Sequence, residues 1–361
     1  MAVTEYGVNH PLAVKLWSKR LLREALKQTY VSRFMGRTAN SLVYVKDEAS
    51  KSAGDRITCG LRMQLTGAGI SGDETLEGNE EALTTYSDNI FIDQLRHAVR
   101  SKGKMSEQRV NHSVREEARS GLSDWLADRL DTWFFNQACG NTAVSDTKYT
   151  GLQAAIAPTD SATASSDRHL FHDGTHTTEA SLSTTDTFIL PLIDRAITVA
   201  KTATPRIRPI RYQGGEYFVM FLHPYQVYNL RTDASTARIT WFDAQKARVQ
   251  GGLDQGESPI FNGALGMYNG VILHESTRVT NGVTAGAAET DVRRAVLCGA
   301  QSVLFGMGQT ENPDEPNWYE ELFDYGNQLG VKAGIIGGMK KAVFNSIDFG
   351  TVVVSTYAVA P

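Results

Sequence analysis

Cysteine is scarce in this chain: Cys59, Cys139 and Cys298 lie far apart, with no C-x-x-C pair. That excludes a disulfide framework and suits small buried thiols in a reducing compartment. No apolar run approaches the roughly 20 residues needed to cross a bilayer. The N-terminus shows neither the apolar stretch nor the small-residue cleavage site of a secretory signal, so synthesis and folding in cytoplasm are expected, with no membrane partner. Charge of one sign is also missing. A formal net charge of −4 argues against a dedicated nucleic-acid binder, leaving room only for a local basic patch. There is no G-x-S-x-G elbow, no H-E-x-x-H and no Walker sequence, so nothing points to an enzyme. What is present is an ordinary globular balance, 41% hydrophobic and 21% charged over 361 residues, enough for one large domain or two to three smaller ones.

Apolar periodicity organises the chain. His10 to Gly36 reads as a helix, with Leu12, Leu16, Leu22, Leu26 and Tyr30 on one face and Gly36 at its end. Between Lys15 and Arg37 it carries seven basic residues, Arg20 and Arg23 among them, against the single acid Glu24. Ile57 to Leu65 alternates as a strand, with Ile57, Cys59, Leu61, Met63 and Leu65 on one face. "LTTYSDNIFIDQLRHAV" reads as extended chain again. Between the two, Thr66 to Glu81 holds four glycines and five acids, Asp73, Glu74, Glu77, Glu80 and Glu81. A long hairpin with an acidic tip is expected.

Ser106 to Gly140 reads as the strongest helix, with Ser106 as a cap, Ser113 and Glu116 as a capping box, and Gly140 as the stop. Asn141 to Thr187 reads as surface loop. Phe188 to Lys201 is a second amphipathic helix with Pro191 in its first turn. Strands follow in "EYFVMFLHP", "GVILHESTRV" and "RRAVLCGAQSVLFGM", with a short helix at "YQVYNLR". The last third alternates β-branched residues with glycine turns. Helices and strands mix without regular βαβ repetition, so the class is α+β.

Two motifs invite chemistry and are weighed against their settings. Gly67, Gly69 and Gly72 spell the G-x-G-x-x-G of dinucleotide sites, and Asp88 stands at about the right distance for a ribose-binding acid. However, that fingerprint requires a helix directly after the glycines, to present its N-terminus to the pyrophosphate. Here acids and another glycine follow, so the glycines are expected to shape turns, and no cofactor is expected. His169, His172, Asp173 and His176 have metal-ligand spacing. They sit in a Ser/Thr-rich stretch without cysteine or a rigid element, so surface histidines are expected rather than a metal site. His97, His112, His223 and His274 read as hydrogen-bonded structural histidines. Trp125, Trp133 and Phe134 read as core.

The hairpin is the physical oddity. Two strands alone are marginal in water, yet one face of the first is apolar throughout and needs a cover. The basic N-terminal segment and the acidic tip are charge opposites, which suggests a subunit that reaches over its neighbours. "GDRITCGLRMQLTGAGISGDETLEGNEEALTTYSDNIFIDQLRHAVRSKGKMSEQRV" resembles the major capsid proteins of tailed bacteriophages of the coliphage N-four group. So do "VREEARSGLSDWLADRLDTWFFNQACGNTAVSDTKYTG", "FLHPYQVYNLRTD", "YNGVILHESTRV" and "EELFDYGNQLGV". The likeness covers most of the chain and is weakest over Ser161 to Thr184.

That resemblance implies the Hong Kong 97-like fold. Residues 1–53 would be an N-terminal arm and 54–100 an extended β-hairpin loop lying on an adjacent subunit. Residues 101–150 would hold the spine helix of a peripheral domain, 151–318 an axial domain, and 319–361 a return to the peripheral sheet. It implies self-assembly into hexamers and pentamers of an icosahedral head around double-stranded DNA, with portal, scaffolding and decoration proteins as further partners. An encapsulin-like compartment is the alternative on the same fold. The expected intersubunit contacts are ion pairs of Asp73, Glu74, Glu77, Glu80 and Glu81 with Arg20 and Arg23 of a neighbour, and apolar burial along Ile57, Leu61 and Met63.

Overall fold

The computed structural model describes residues 29–46, 54–62, 65, 67–72, 75–109, 113–160, 167–173, 176–212, 214–233, 240–241, 264–283, 291–308 and 318–361. Two sheets sandwich one long helix. The first sheet runs β1 (Met35–Gly36), β2 (Val43–Lys46), β12 (Val303–Met307), β14 (Gln328–Lys341) and β13 (Tyr319–Phe323), with β5 (Asp93–Arg100) also paired to β14. The second runs β6 (His169–Phe171), β17 (Thr351–Tyr357), β11 (Val292–Cys298), β8 (Gly215–Leu222), β10 (Val271–Glu275) and β9 (Ala264–Tyr268), with β7 (Ile210–Tyr212) paired to β8. Two small ladders complete the strands: β3 (Arg56–Arg62) with β4 (Thr85–Phe91), and β15 (Val343–Phe344) with β16 (Ile347–Asp348). The α+β reading holds.

The sequence expected one helix from Ser106; the structure has two. A short α1 (Lys104–Gln108) is followed by α2 (Val114–Ala138), whose 25 residues span about 38 Å. Ser106 lies inside α1 rather than capping it. Ser113 occupies the N-cap of α2, but its side chain makes no capping bond. The far end stops as expected. Gly140 takes φ +67°, its N–H donates to Gln137 O, and Asn141 N–H donates to Asn136 O, a Schellman turn that a Cβ would wreck against Ile156 O.

Side-chain alternation places the layers. Val219, Phe221, Val296, Cys298 and Val353 of the second sheet face α2, where Leu122, Leu126, Leu130, Trp133 and Phe134 meet them. The first sheet closes the other side of this core with Leu95, Val303, Phe305, Val331, Ala333 and Ile335. Phe218, Met220, Leu222, Leu297, Val352 and Val354 point the opposite way, under α3 (Leu190–Thr202) and α4 (Pro224–Thr232).

The helix expected to reach Gly36 does not. Residues 1–28 lie outside the described set, but Val31–Phe34 is a 3₁₀ turn and Met35–Gly36 is strand β1. Asp131 of α2 sets this ending: its carboxylate accepts the N–H groups of Tyr30 and Val31, each at 3.0 Å. Tyr30 then stacks on Phe135, and both Tyr30 and Phe34 meet Phe221 and His274 edge-on. Residues 141–187 are mostly loop, as expected, but β6 was not anticipated there; it lies parallel to β17.

His223 is the structural histidine expected, and it has a measurable signature. Its Nδ1 accepts the Tyr225 N–H at 3.2 Å, while Gln226 Oε1 accepts the His223 N–H, forming a capping box on α4. Burial, with Arg293 nearby, lowers its pKa to about 4. A base whose folded pKa lies below its unfolded value gains stability only while neutral. That stability is complete above pH 6.5 and is lost as pH falls toward about 4. His223→Asn keeps a cap acceptor without a titrating ring. Its melting temperature is expected to match the parent near neutrality and to fall less steeply between those pH values. Parallel acid slopes for the two proteins would contradict this.

Candidate assembly surface

The β3–β4 ribbon is fixed at one end and free at the other. Seven residue pairs join its strands, from Arg56↔Phe91 to Arg62↔Thr85, and among the described residues neither strand pairs with any other. At its base, Ile57, Cys59 and Ile90 are buried against Leu304, Ala342, Phe344 and Phe349, on the face of the first sheet away from α2. Two glycines let the ribbon approach: a Cβ on Gly306 would meet Ile57 Cδ1 at 2.9 Å, and one on Gly338 would overlap Phe91 O. Asp88, buried, clamps the same end. It accepts from Lys340 Nζ and from Val343 N–H at 3.1 Å, and Lys340 also donates to Asn89 O.

Beyond the base the cover ends. Every described residue from 75 to 85 is exposed, and Leu65, Leu76 and Leu83 are each more than half exposed. Gly69, Gly72 and Gly78 adopt positive φ, as turns require. No helix follows the glycines among the described residues. The Gly67 N–H, which a phosphate would claim in a dinucleotide site, donates instead to Glu81 Oε2 at 2.6 Å. The Gly78 N–H donates to Glu80 Oε2 at 2.8 Å.

The expected contact residues therefore separate. Glu77, Glu80 and Glu81 stand on the exposed tip. Ile57 is not left for a neighbour; its own chain covers it, to 4% exposure. Leu61 lies in β3, and its side chain falls outside the described set, as do Met63, Asp73, Glu74, Arg20 and Arg23. Sequence reasoning missed Asp88 and Lys340. A local signal did exist: Met63 to Leu95 contains seven acids and no lysine or arginine, and the sign reverses at Arg96.

The histidines of residues 169–176 are each held by a different partner. His169, in β6, bonds Ser355 Oγ at 2.8 Å; His172 Nδ1 bonds Thr187 O at 2.8 Å; His176 Nδ1 bonds Ser181 Oγ at 3.0 Å. Among the described residues no group of three or more His, Cys, Asp or Glu is placed to hold a metal ion. His169 instead belongs to a buried pin. Glu179 accepts from Arg294 Nε at 2.6 Å, Ser355 Oγ at 2.9 Å and Val283 N–H at 2.7 Å, and Arg294 reaches on to Gly140 O. Burial opposes the Glu179 charge, yet Arg294 and the Val283 N–H keep its pKa below the usual range; burial and Arg294 lower the His169 pKa to about 4 and hold it neutral. The pin ties the end of α2 to β11 and β17. No helix among the described residues is long and apolar enough to cross a membrane.

A spine helix between two sheets, with a ribbon anchored at its base and bare at its tip, defines a subunit of the Hong Kong 97-like class. The phage capsid protein family model matches residues 5–360, and the chain belongs to that family. It is 30% identical over 375 residues to the major capsid protein of Pseudomonas phage KPP25, covering 96% of this chain and 94% of that protein. The capsid of Ralstonia phage GP4 superposes with a TM-score of 0.78 at 32% identity, covering 100% of this chain and 99% of that one. The capsid subunit of cyanophage Pam1 shares the fold at a TM-score of 0.72 and 24% identity, over 93% and 94% of the two chains.

Proposed function

We propose that this chain is a non-enzymatic shell subunit whose copies close as hexamers and pentamers into the icosahedral head of a tailed phage, around double-stranded DNA. The observation that carries the reading is the ribbon: its base is locked to its own body, and its distal half has no cover among the described residues. A head-to-tail contact between unlike surfaces closes a ring by rotation, which a projecting ribbon and a separate landing surface provide. In this reading α2 and the first sheet form the peripheral domain, and the second sheet with α3 and α4 faces the capsomer axis. β12 then joins the peripheral sheet and β17 the axial one, so the chain crosses between domains near residues 300 and 345 rather than once near 318. Arg20 and Arg23 of the arm remain partners for tip acids. Exposed ion pairs are worth only about 0–1 kcal/mol each, so apolar contact of the tip leucines dominates. Portal, scaffolding and decoration proteins complete the proposed set of partners.

The test is the content of particles recovered from infected or expressing cells. Nuclease-protected double-stranded DNA in virion heads is the expected result. Particles filled with enzyme cargo would move the chain to the encapsulin-like alternative.

A further inference from the structure

A chain of net charge −4 has room for a local basic patch, and one lies on the connection from α3 to β8. Between Asp194 and Glu216 the sequence holds five cations, Arg195, Lys201, Arg206, Arg208 and Arg211, and no acid. Local chemistry fixes how the arginines are presented. Pro205 and Pro209 bracket Arg206 to Arg208, and a residue before proline is held extended. Side chains alternate along extended chain. Ile207 accordingly turns inward, to 2% exposure among the residues packed under α3, while Arg206 and Arg208 are both exposed. Their stems leave the chain about 6.6 Å apart, on the scale of successive phosphates along one nucleic-acid strand.

The backbone of this ridge is pinned at each step. Ile207 N–H donates to Ala200 O at 3.0 Å, which sets the exposed Lys201 of α3 beside it. Ala300 N–H donates to Arg208 O at 2.8 Å. Asn40, on the connection from β1 to β2, accepts the Arg211 N–H at 2.7 Å and donates to Arg211 O at 2.6 Å. Among the described residues the side chains of Lys201, Arg206 and Arg208 have no ion-pair partner. Arg211 has one, Glu216 at 3.2 Å, an exposed pair that water screens. Tyr212, 65% exposed, ends the ridge with a phenol hydroxyl.

We propose that this ridge is a contact surface for the double-stranded DNA packaged inside the shell, gripping phosphates without reading sequence. Guanidinium forks match phosphate oxygens in pairs, and arginine, lysine and tyrosine side chains are among the groups that hold the backbone of a duplex. A row already fixed by two prolines and four backbone hydrogen bonds loses little freedom on binding. Four cations, Lys201, Arg206, Arg208 and Arg211, give a weak hold that salt dissolves. The inference rests on the capsid reading and adds to it the place on the subunit where the genome touches.

Salt dependence of binding to a short mixed-sequence duplex, followed by fluorescence anisotropy with full-length unassembled subunits, tests it. Four phosphate contacts should cost about 150-fold in affinity between about 50 and 200 mM salt. Arg206→Gln with Arg208→Gln should cut that loss to about 12-fold, with an unchanged melting temperature. Arg206→Lys with Arg208→Lys keeps both charges and should keep the parent's slope. A Gln variant with the parent's slope, or a parent that does not bind, overturns the proposal. So does a Gln variant that loses shell yield while its slope stays, because the ridge then serves a protein neighbour. In filled heads, ultraviolet crosslinking should attach nucleotide to the peptide carrying Tyr212. Heads that hold DNA without that crosslink overturn the contact and leave the capsid reading standing. Particles that hold enzyme cargo and no DNA overturn both.

Discussion

Deleting Gly67 to Gly78 is expected to leave a folded subunit that no longer closes shells. The described residues of the segment belong to none of the three buried clusters, and the seven-pair β3–β4 ladder lies outside it. Its loss removes Leu76, which is 63% exposed, together with Glu77 and the turn glycines. Fully burying one leucine is worth about 1.5–3 kcal/mol, so each ring contact loses an amount comparable to a tenfold to hundredfold change in affinity. Every contact of a closed ring loses it at once, and the assembly threshold rises beyond working concentrations. Circular dichroism melting should therefore be nearly unchanged while electron microscopy shows free subunits or small rings. Normal-sized shells from the deleted chain would count against the ribbon as the coupling element.

Breaking the Lys341–Asp348 pair is expected to have the largest effect on stability. Lys341 is fully buried and Asp348 1% exposed. The ammonium donates to Asp348 Oδ2 at 2.8 Å and to Ala157 O at 3.0 Å. Burial already disfavours the ammonium and lowers its pKa, with Asp348 acting against that. Asp348→Ala would strand the charge, which in buried pairs costs about 3–5 kcal/mol. Lys341→Met combined with Asp348→Leu removes both charges and should recover much of that loss. Urea unfolding of the single and double variants makes the comparison. A single variant within about 1 kcal/mol of the parent would show that the pair is hydrated and not part of the core.

These two sites differ in how far the sequence reveals them. The alternation of Ile57, Cys59 and Leu61 announces a one-sided strand, and the spacing from Leu122 to Phe134 announces the spine helix, because both signals are local. The cover over Ile57 is not local. It is built from Leu304, Phe344 and Phe349, and the clamp from Asp88 to Lys340 spans 252 residues. The sequence alone therefore assigned all of the ribbon's apolar face to a neighbour, when the base belongs to the subunit itself. The run from Leu83 to Val99 read as one extended strand for the same reason. Ile92 N–H turns to Asp55 O, and beyond it β5 leaves the ribbon to pair with β14. The His169 strand was hidden because three residues inside a Ser/Thr-rich stretch carry no periodicity; only β17 makes them a strand. The N-terminal helix was overextended because Asp131, about a hundred residues on, takes the N–H groups of Tyr30 and Val31. Charge was more informative than pattern: the acid-only run ending at Leu95 marks the boundary between the ribbon and the basic strand that follows.

Amide hydrogen exchange, measured on dissociated subunits and on assembled particles, addresses the division of the ribbon directly. Amides of residues 57–59 and 88–91 should be protected in both states, because the chain's own body covers them. Amides of residues 75–85 should exchange quickly in free subunits and become protected on assembly. Protection of 75–85 in the free subunit, or fast exchange there in intact shells, would contradict the claim that a second copy shelters the tip.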